Sequence, residues 1–296
     1  MNKEQLHYFT LAYQTRNYSA AAKRVPMSPQ GFAKSIHSLE NELGVPLFSD
    51  ENGALTPTAY AEELLKFANN WEVNYHTMKG AFTRIQAMEK HEIRLGTSLG
   101  IIGFMGTEFL SQFHREHPDI SVNYNESHDS YCEEGLRRGI YDLAFTLSPY
   151  ESDFITTELY GTQTLLWVNT RNELSEQDSI LPHDLAGQYI ALPGEDFKIY
   201  RSILNACKDS GVEPGELITS AEIFWLYELA SRNRSLSFTL PHLVSLSVFS
   251  QNENVIALPL EGMKWRFGIS YLSSHSLTDY ERVFIEHCEM YSASLR

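Results

Sequence analysis

Leu6, Phe9 and Tyr13 recur at helical spacing and predict an amphipathic helix over residues 4–15. Ser19 is placed to cap a short second helix through Ala20, Ala21 and Ala22, whose small side chains permit close packing. Ser28 then offers an N-cap, and Pro29 suits a first helical position, where the N–H has no partner to lose. The third helix buries Phe32, Ile36, Leu39 and Leu43, turns Gln30, Lys34, His37 and Asn41 outward, and ends at Gly44. Residues 45–48, a polar turn over 50–53 and residues 54–57 predict two short strands forming a wing. A short helix, a tight turn and a helix with a polar, partly basic face fit a DNA-reading helix-turn-helix. They fit an ordinary three-helix cluster with a solvated face equally well, and spacing alone leaves both open.

From Ala61 the apolar positions Leu64, Ala68, Trp71, Tyr75, Met78, Phe82 and Ile85 step by three and four in strict alternation. Such a heptad seam predicts a long helix whose stripe seeks a partner helix, on a second copy or on its own chain. Beyond residue 90 the period changes. Strands at 93–97, 120–124 and 142–145 alternate with helices at 101–116 and 131–138, an order that predicts a parallel sheet covered on both faces. The pattern restarts with strands at 164–168, 189–192, 217–220 and 236–239 and helices at 199–210 and 222–231. It closes with a strand at 267–272 and a helix at 279–291. Two α/β lobes follow, with crossings near 162–164 and 266–268.

The formal charge of −15 argues at first against a nucleic-acid partner. Its distribution reverses that. Residues 1–90 hold nine basic and nine acidic side chains, and no acid lies between Glu4 and Glu40, where Arg16, Lys23, Arg24 and Lys34 all fall. The remaining residues carry the whole deficit, as expected of two modules with different partners. The start of the chain does not read as a signal peptide, and no apolar stretch approaches the roughly 20 residues of a membrane span, so a cytoplasmic protein is expected. Cys132, Cys207 and Cys288 form no C-x-x-C, His114-Arg115-Glu116-His117 is not a zinc motif, and no phosphate-binding loop occurs; no cofactor or metal is expected.

The residues Ser19-x-Ala21-Ala22, Ser28, Ile36-x-x-Leu39-Glu40-x-x-Leu43-Gly44-x-x-Leu47-Phe48 and Leu55-Thr56 resemble the amino-terminal signature of LysR-type transcription regulators. Arg94-x-Gly96, Phe113-x-x-x-x-Pro118-x-Ile120, Gly139-x-x-Asp142-Leu143-Ala144 and Leu181-x-x-x-Leu185 resemble that family's effector domain. The resemblance implies an N-terminal all-α winged helix-turn-helix (1–57) plus linker helix (58–90). It implies a C-terminal α/β two-lobed periplasmic-binding-protein-like effector domain (91–296), with lobe I at 91–163 and 268–296 and lobe II at 164–267. It also implies double-stranded DNA as partner, pairing of subunits through the linker into a homodimer or homotetramer, and a small-molecule effector. There are departures. Pro29-Gln30 reverses the usual order, Ala33-Lys34 stands where a Ser-Arg pair is common, and Asp50-Glu51 makes the wing tip acidic, which repels phosphate. Asn233-Arg234-Ser235 replaces a Gly-x-Gly-like turn.

Within that reading Gln30 and Lys34 are suited to base edges, Gln to adenine and Lys to guanine, while Tyr18, Ser19, Ser28 and Ser35 are suited to phosphates. Ligands of open α/β lobes bind beyond the carboxyl ends of the strands. That places Thr97, Ser98, Phe145, Thr146, Tyr200, Ser220 and Thr239 about an effector, with Lys198 or Arg201 available to a carboxylate. Two other readings compete. Gly96-Thr97-Ser98-Leu99-Gly100 matches the nucleophile elbow of a serine hydrolase, although the elements before it are helical and no oxyanion segment precedes it. The acidic wing also fits a ligand-binding interaction protein with a weakened DNA head.

Overall fold

The structure, a computed structural model, describes every residue except Asn52, Gly53 and Arg296. The side chains of Asp50, Glu51 and Ala54 also lie outside the described residues, and with them the acidic wing tip expected above. The chain divides into two compact units, Met1–Lys79 and Gly80–Arg296.

The first unit opens with α1 (Lys3–Thr15), α2 (Tyr18–Ala22) and α3 (Pro29–Leu43). Strand β1 (Phe48–Glu51) then pairs antiparallel with β2 (Ala54–Pro57), Phe48 opposite Pro57. Helix α4 (Ala59–Met88) follows, and the division between the units falls inside it. Phe9, Ala12, Phe32, Ile36, Leu39 and Leu47 form a core with Ala61 and Ala68 of α4 packed onto it. Two details depart from expectation. Asn17 caps α2, its side chain accepting from Ala20 N at 2.9 Å, so Ser19 sits inside the first turn. Leu43 is 37% exposed, because α3 reaches past the core before Gly44 (φ 72°) stops it. Ser28 and Pro29 start α3 as expected. Glu40 then ties its far end to the wing, its carboxylate accepting from Leu47 N (2.7 Å) and Phe48 N (3.1 Å).

The seam of α4 splits. Ala61 and Ala68 are buried in the head core, and Leu64 and Trp71 pack beside them. Phe82 and Ile85 are each 59% exposed, and Met78 is exposed as well. The first half of the stripe therefore serves its own chain, and only the second half is unpartnered among the described residues.

The second unit carries β3 (Glu92–Ser98), α5 (Ile101–Met105), α6 (Thr107–Glu116), β4 (Ser121–Ser127), α7 (Asp129–Arg137), β5 (Leu143–Leu147) and the long β6 (Phe154–Asn169). Then come β7 (Tyr189–Leu192), α8 (Lys198–Asp209), β8 (Glu216–Thr219), α9 (Ile223–Ser231), β9 (Leu236–Thr239), α10 (Pro241–Val244), α11 (Ser247–Ser250), β10 (Val255–Leu272) and α12 (Asp279–Ala293). One eight-stranded sheet has the order β4-β3-β5-β10-β6-β9-β7-β8. It is mixed rather than parallel: β3 is parallel to β4 and β5, and β7 to β8 and β9, but β10 runs antiparallel to β5 and β6. The antiparallel pair β6–β10 runs through both lobes, with a register break between Pro259 and Lys264. The single helix expected over 101–116 is two, because Gly106 at φ 83° interrupts it.

Candidate functional site

On α3, Gln30, Lys34, His37 and Asn41 lie at steps of four, three and four and are all exposed. Lys34 makes no ion pair among the described residues, so its ammonium points into solvent uncommitted. Ser35 is half-buried and lines, with Lys34 and Ser38, a shallow depression against Gln5 and Tyr8 of α1. Ser19 is exposed at the start of α2. The hydroxyl of Ser28 accepts from Gly31 N at 3.1 Å, so the cap uses its acceptor and leaves one donor for an outside group. Tyr18 is half-buried, its ring within 6.3 Å of those of Phe32, His37 and Phe48, and it packs the turn.

In the second unit the quoted Arg94 and Asp142 turn out to be one buried anchor. Arg94 Nε donates to Asp142 Oδ2 at 2.9 Å and Nη2 to Oδ1 at 2.5 Å, and Nη1 reaches the Gly139 carbonyl at 2.9 Å. The end of α4 docks here: a Cβ on Gly80 would lie 2.4 Å from the Arg138 carbonyl, so only glycine allows the approach. Gly96 and Gly135 leave room for the ring of Tyr141 in the same way.

A cavity of about 240 Å³ opens between the lobes, beyond the carboxyl ends of β3, β5, β7 and β9. None of the nine residues expected around an effector lines it; their chain neighbours do. Leu99 and Gly100 stand in for Ser98, and Leu147 for Thr146. Phe197 and Ile199 line it rather than Lys198 between them, and Phe238 and Leu240 rather than Thr239. Ala221 follows Ser220, and His242 and Trp265 complete the wall. The expected residues are committed elsewhere. Thr97 donates to the Ser98 carbonyl, and Phe145 is core against Phe109 and Phe267. Thr146 and Thr156 pair with Ser270 at 2.6 and 2.7 Å, joining β5, β6 and β10. Ser220 accepts from Glu222 N at the start of α9, Tyr200 packs against the core, and Arg201 is exposed over a separate depression beside Glu133 and Glu134. Thr239 is fully buried, its hydroxyl without a hydrogen bond among the described residues.

Lys198 is held within the fold. Its ammonium, on lobe II, donates to the carbonyls of Leu147 (3.0 Å) and Pro149 (2.5 Å) on lobe I. It also pairs with Glu133, and its backbone N donates to Asp129 Oδ2 at 2.8 Å. It bridges the lobes and is not free for a ligand. Burial pushes the carboxyls of Asp129 and Glu133 above the ordinary range, with Lys198 opposing that in both. No signal within either segment of sequence joins 129 and 133 to 198.

A helix-turn-helix model described as that of bacterial regulatory proteins of the lysR family matches residues 4–62, and the LysR substrate binding domain matches residues 86–292. The chain belongs to the LysR family. It is thus a DNA-binding transcription regulator with an effector-binding domain, as the resemblance implied. Among similar LysR-type proteins is YybE of Bacillus subtilis, an uncharacterised HTH-type transcriptional regulator 25% identical over 227 residues, which span 75% of this chain and 76% of YybE. Full-length BenM has the same fold, with TM-score 0.57 at 18% identity over 100% of this chain and 98% of its own. CbnR complexed with its target DNA has TM-score 0.51 at 17% identity, over 99% and 100% of the two chains.

The LysR frame leaves the elbow-like Ser98 as a buried residue. Its hydroxyl makes no hydrogen bond among the described residues and faces Asp129 and Cys132 rather than a histidine. His275 pairs with Glu281 at 3.1 Å, and His287 donates to the Phe109 carbonyl at 3.0 Å. The three cysteines are free and buried, and burial pushes the Cys132 thiol up to about 12. Among the described residues, no helix is long and apolar enough to cross a membrane, and no cluster of metal-binding side chains occurs.

Proposed function

We propose that this LysR-type regulator lays the Gln30–Lys34 face of α3 in a major groove, with Ser19, Ser28 and Ser35 donating to flanking phosphates and Tyr18 shaping the turn. The exposed polar face of α3, anchored at one end by its Ser28 cap and at the other by Glu40, carries this reading. Two copies pair through the exposed half of the α4 stripe, matching two half-sites, and the protein works in the cytoplasm where its operator is. A small molecule enters the cleft between the lobes, shifts their open–closed population, and so changes the geometry of the paired heads. The chain is not an enzyme on this reading, since Ser98 has neither access nor base.

The test is an electrophoretic shift on DNA from upstream of the protein's own coding region, at several salt concentrations. Lys34→Ala is expected to weaken binding by about 5- to 100-fold if it reads a base, with relaxed preference at one position; a pure phosphate contact instead lowers the salt slope by about one. Unchanged affinity in both Lys34→Ala and Gln30→Ala refutes the assignment of α3.

A further inference from the structure

The walls of the cleft carry almost no charge. None of the fourteen residues lining it is acidic, lysine or arginine, and His242 is the sole titratable group among them. Three cations stand one residue from the wall: Lys264 and Arg266 are exposed to either side of buried Trp265 in β10, and Lys198 is already held by two carbonyls, Glu133 and, at 3.8 Å, Glu151. Turning it toward a ligand would strand Glu133 in a buried position. Four helices start at the wall and none offers an anion site: α5 and α10 have only five and four residues, α8 gives its Lys198 N–H to the Asp129 carboxylate, and α9 is capped by the Glu222 carboxylate. A carboxylate or ammonium entering here would lose its hydration with no opposite charge in reach.

His242 has the opposite character. Its ring lies 6.0 Å from that of Trp265, which lines the cavity with it, and is backed by the ring of Phe104 at 5.0 Å. Burial pushes its imidazole down to about 4. It is therefore uncharged at neutral pH and presents one donor and one acceptor nitrogen. The remaining wall is Leu, Ile, Phe, Pro, Ala and Gly. Cavities of roughly 150 Å³ with such walls take up benzene, so about 240 Å³ admits a ring with a substituent.

We infer that the molecule held in this cleft is uncharged and largely apolar, about the size of one substituted aromatic ring, and oriented by a hydrogen bond to His242. This rests on the reading of the cleft as the sensing site, and departs from the carboxylate considered from sequence.

Three probes share one ring and differ in charge: benzyl alcohol, benzoate and benzylammonium, titrated calorimetrically into the full-length protein at neutral pH. Benzyl alcohol is expected to bind saturably, with the two ions at least tenfold weaker. His242→Phe should weaken benzyl alcohol about fivefold, the worth of one neutral hydrogen bond, and leave toluene unchanged. Ala221→Phe, at an exposed position whose side chain reaches the cavity, should abolish binding of both; Ile223→Trp serves the same end if that variant does not fold. Benzoate binding as tightly as benzyl alcohol, and lost in Ala221→Phe, overturns the inferred class while leaving the cleft as the sensing site. No saturable binding by benzyl alcohol also overturns the class. Binding that survives both filling variants overturns the reading of the cleft itself.

Discussion

Replacing Lys198 with methionine keeps the side-chain length and removes the charge that joins the two lobes. Lys198 is 15% exposed and Glu133 8%. The substitution breaks two bonds from a charged donor, each worth about 1.5–3 kcal/mol. It also leaves a buried carboxylate without its partner, a loss of about 3–5 kcal/mol where the charge stays. The charge will not all stay, because Glu133 can take up a proton, and a net loss of about 3 kcal/mol is reasonable. For a domain of this size, each kcal/mol lowers the melting temperature by about 2–4 °C, so a fall of about 6–12 °C is expected near pH 8. The sign with pH follows from the carboxyls. Asp129 and Glu133 titrate higher folded than their ordinary 3.8 and 4.5, chiefly through burial. Just above those values the folded chain holds more protons than the unfolded one, so stability falls as pH rises through the folded values. Lys198→Met removes an influence that holds both down, which raises them further and widens that window. Scanning calorimetry at pH 5 and pH 8 should therefore find the smaller loss at pH 5. Glu133→Gln in the same chain should recover part of it, with a coupling of about 2 kcal/mol. An equal fall at both pH values, or strictly additive single and double variants, would falsify the bridge.

Phe82→Glu with Ile85→Glu places charge on the exposed half of the α4 stripe and should convert the assembly to monomer in sedimentation velocity, with the circular dichroism of the monomer unchanged. Gly80→Ala drives a methyl into the Arg138 and Gly139 carbonyls and should cost about 1–3 kcal/mol in denaturant unfolding, whereas Gly103→Ala, where a Cβ meets open space, should cost nothing measurable. Burial pushes up the thiols of Cys132, Cys207 and Cys288. None should react with a disulfide reagent in the native protein near pH 7.5, and all three should react once denatured; fast labelling of a native thiol contradicts this.

The sequence by itself determined what neighbours along the chain can decide. Phe32, Ile36 and Leu39 at helical steps, Ser28 before Pro29 and the left-handed Gly44 set α3 and its exposed face, because period, cap and stop are all local physics. Even there, Asn17 and Ser19 both make good caps, and only the path of the turn chose Asn17. The strand ends that surround the cleft were also legible, since β5 and β7 are short, mainly apolar runs and β3 and β9 alternate apolar with polar residues. Which residue at each end faces the cavity was not. In β3 and β9 the polar residues are buried along with the apolar ones, so polarity does not tell whether Ser98 or Leu99, or Thr239 or Leu240, meets the cavity until the lobes are docked. The heptad seam of α4 read as one stripe because spacing cannot tell which part the head core will cover. Lys198 read as available to a carboxylate, and nothing local signalled that Asp129 and Glu133 on the other lobe hold it. Charges close in space pair before any solute can, and closeness across 65 residues or more is settled by tertiary packing alone.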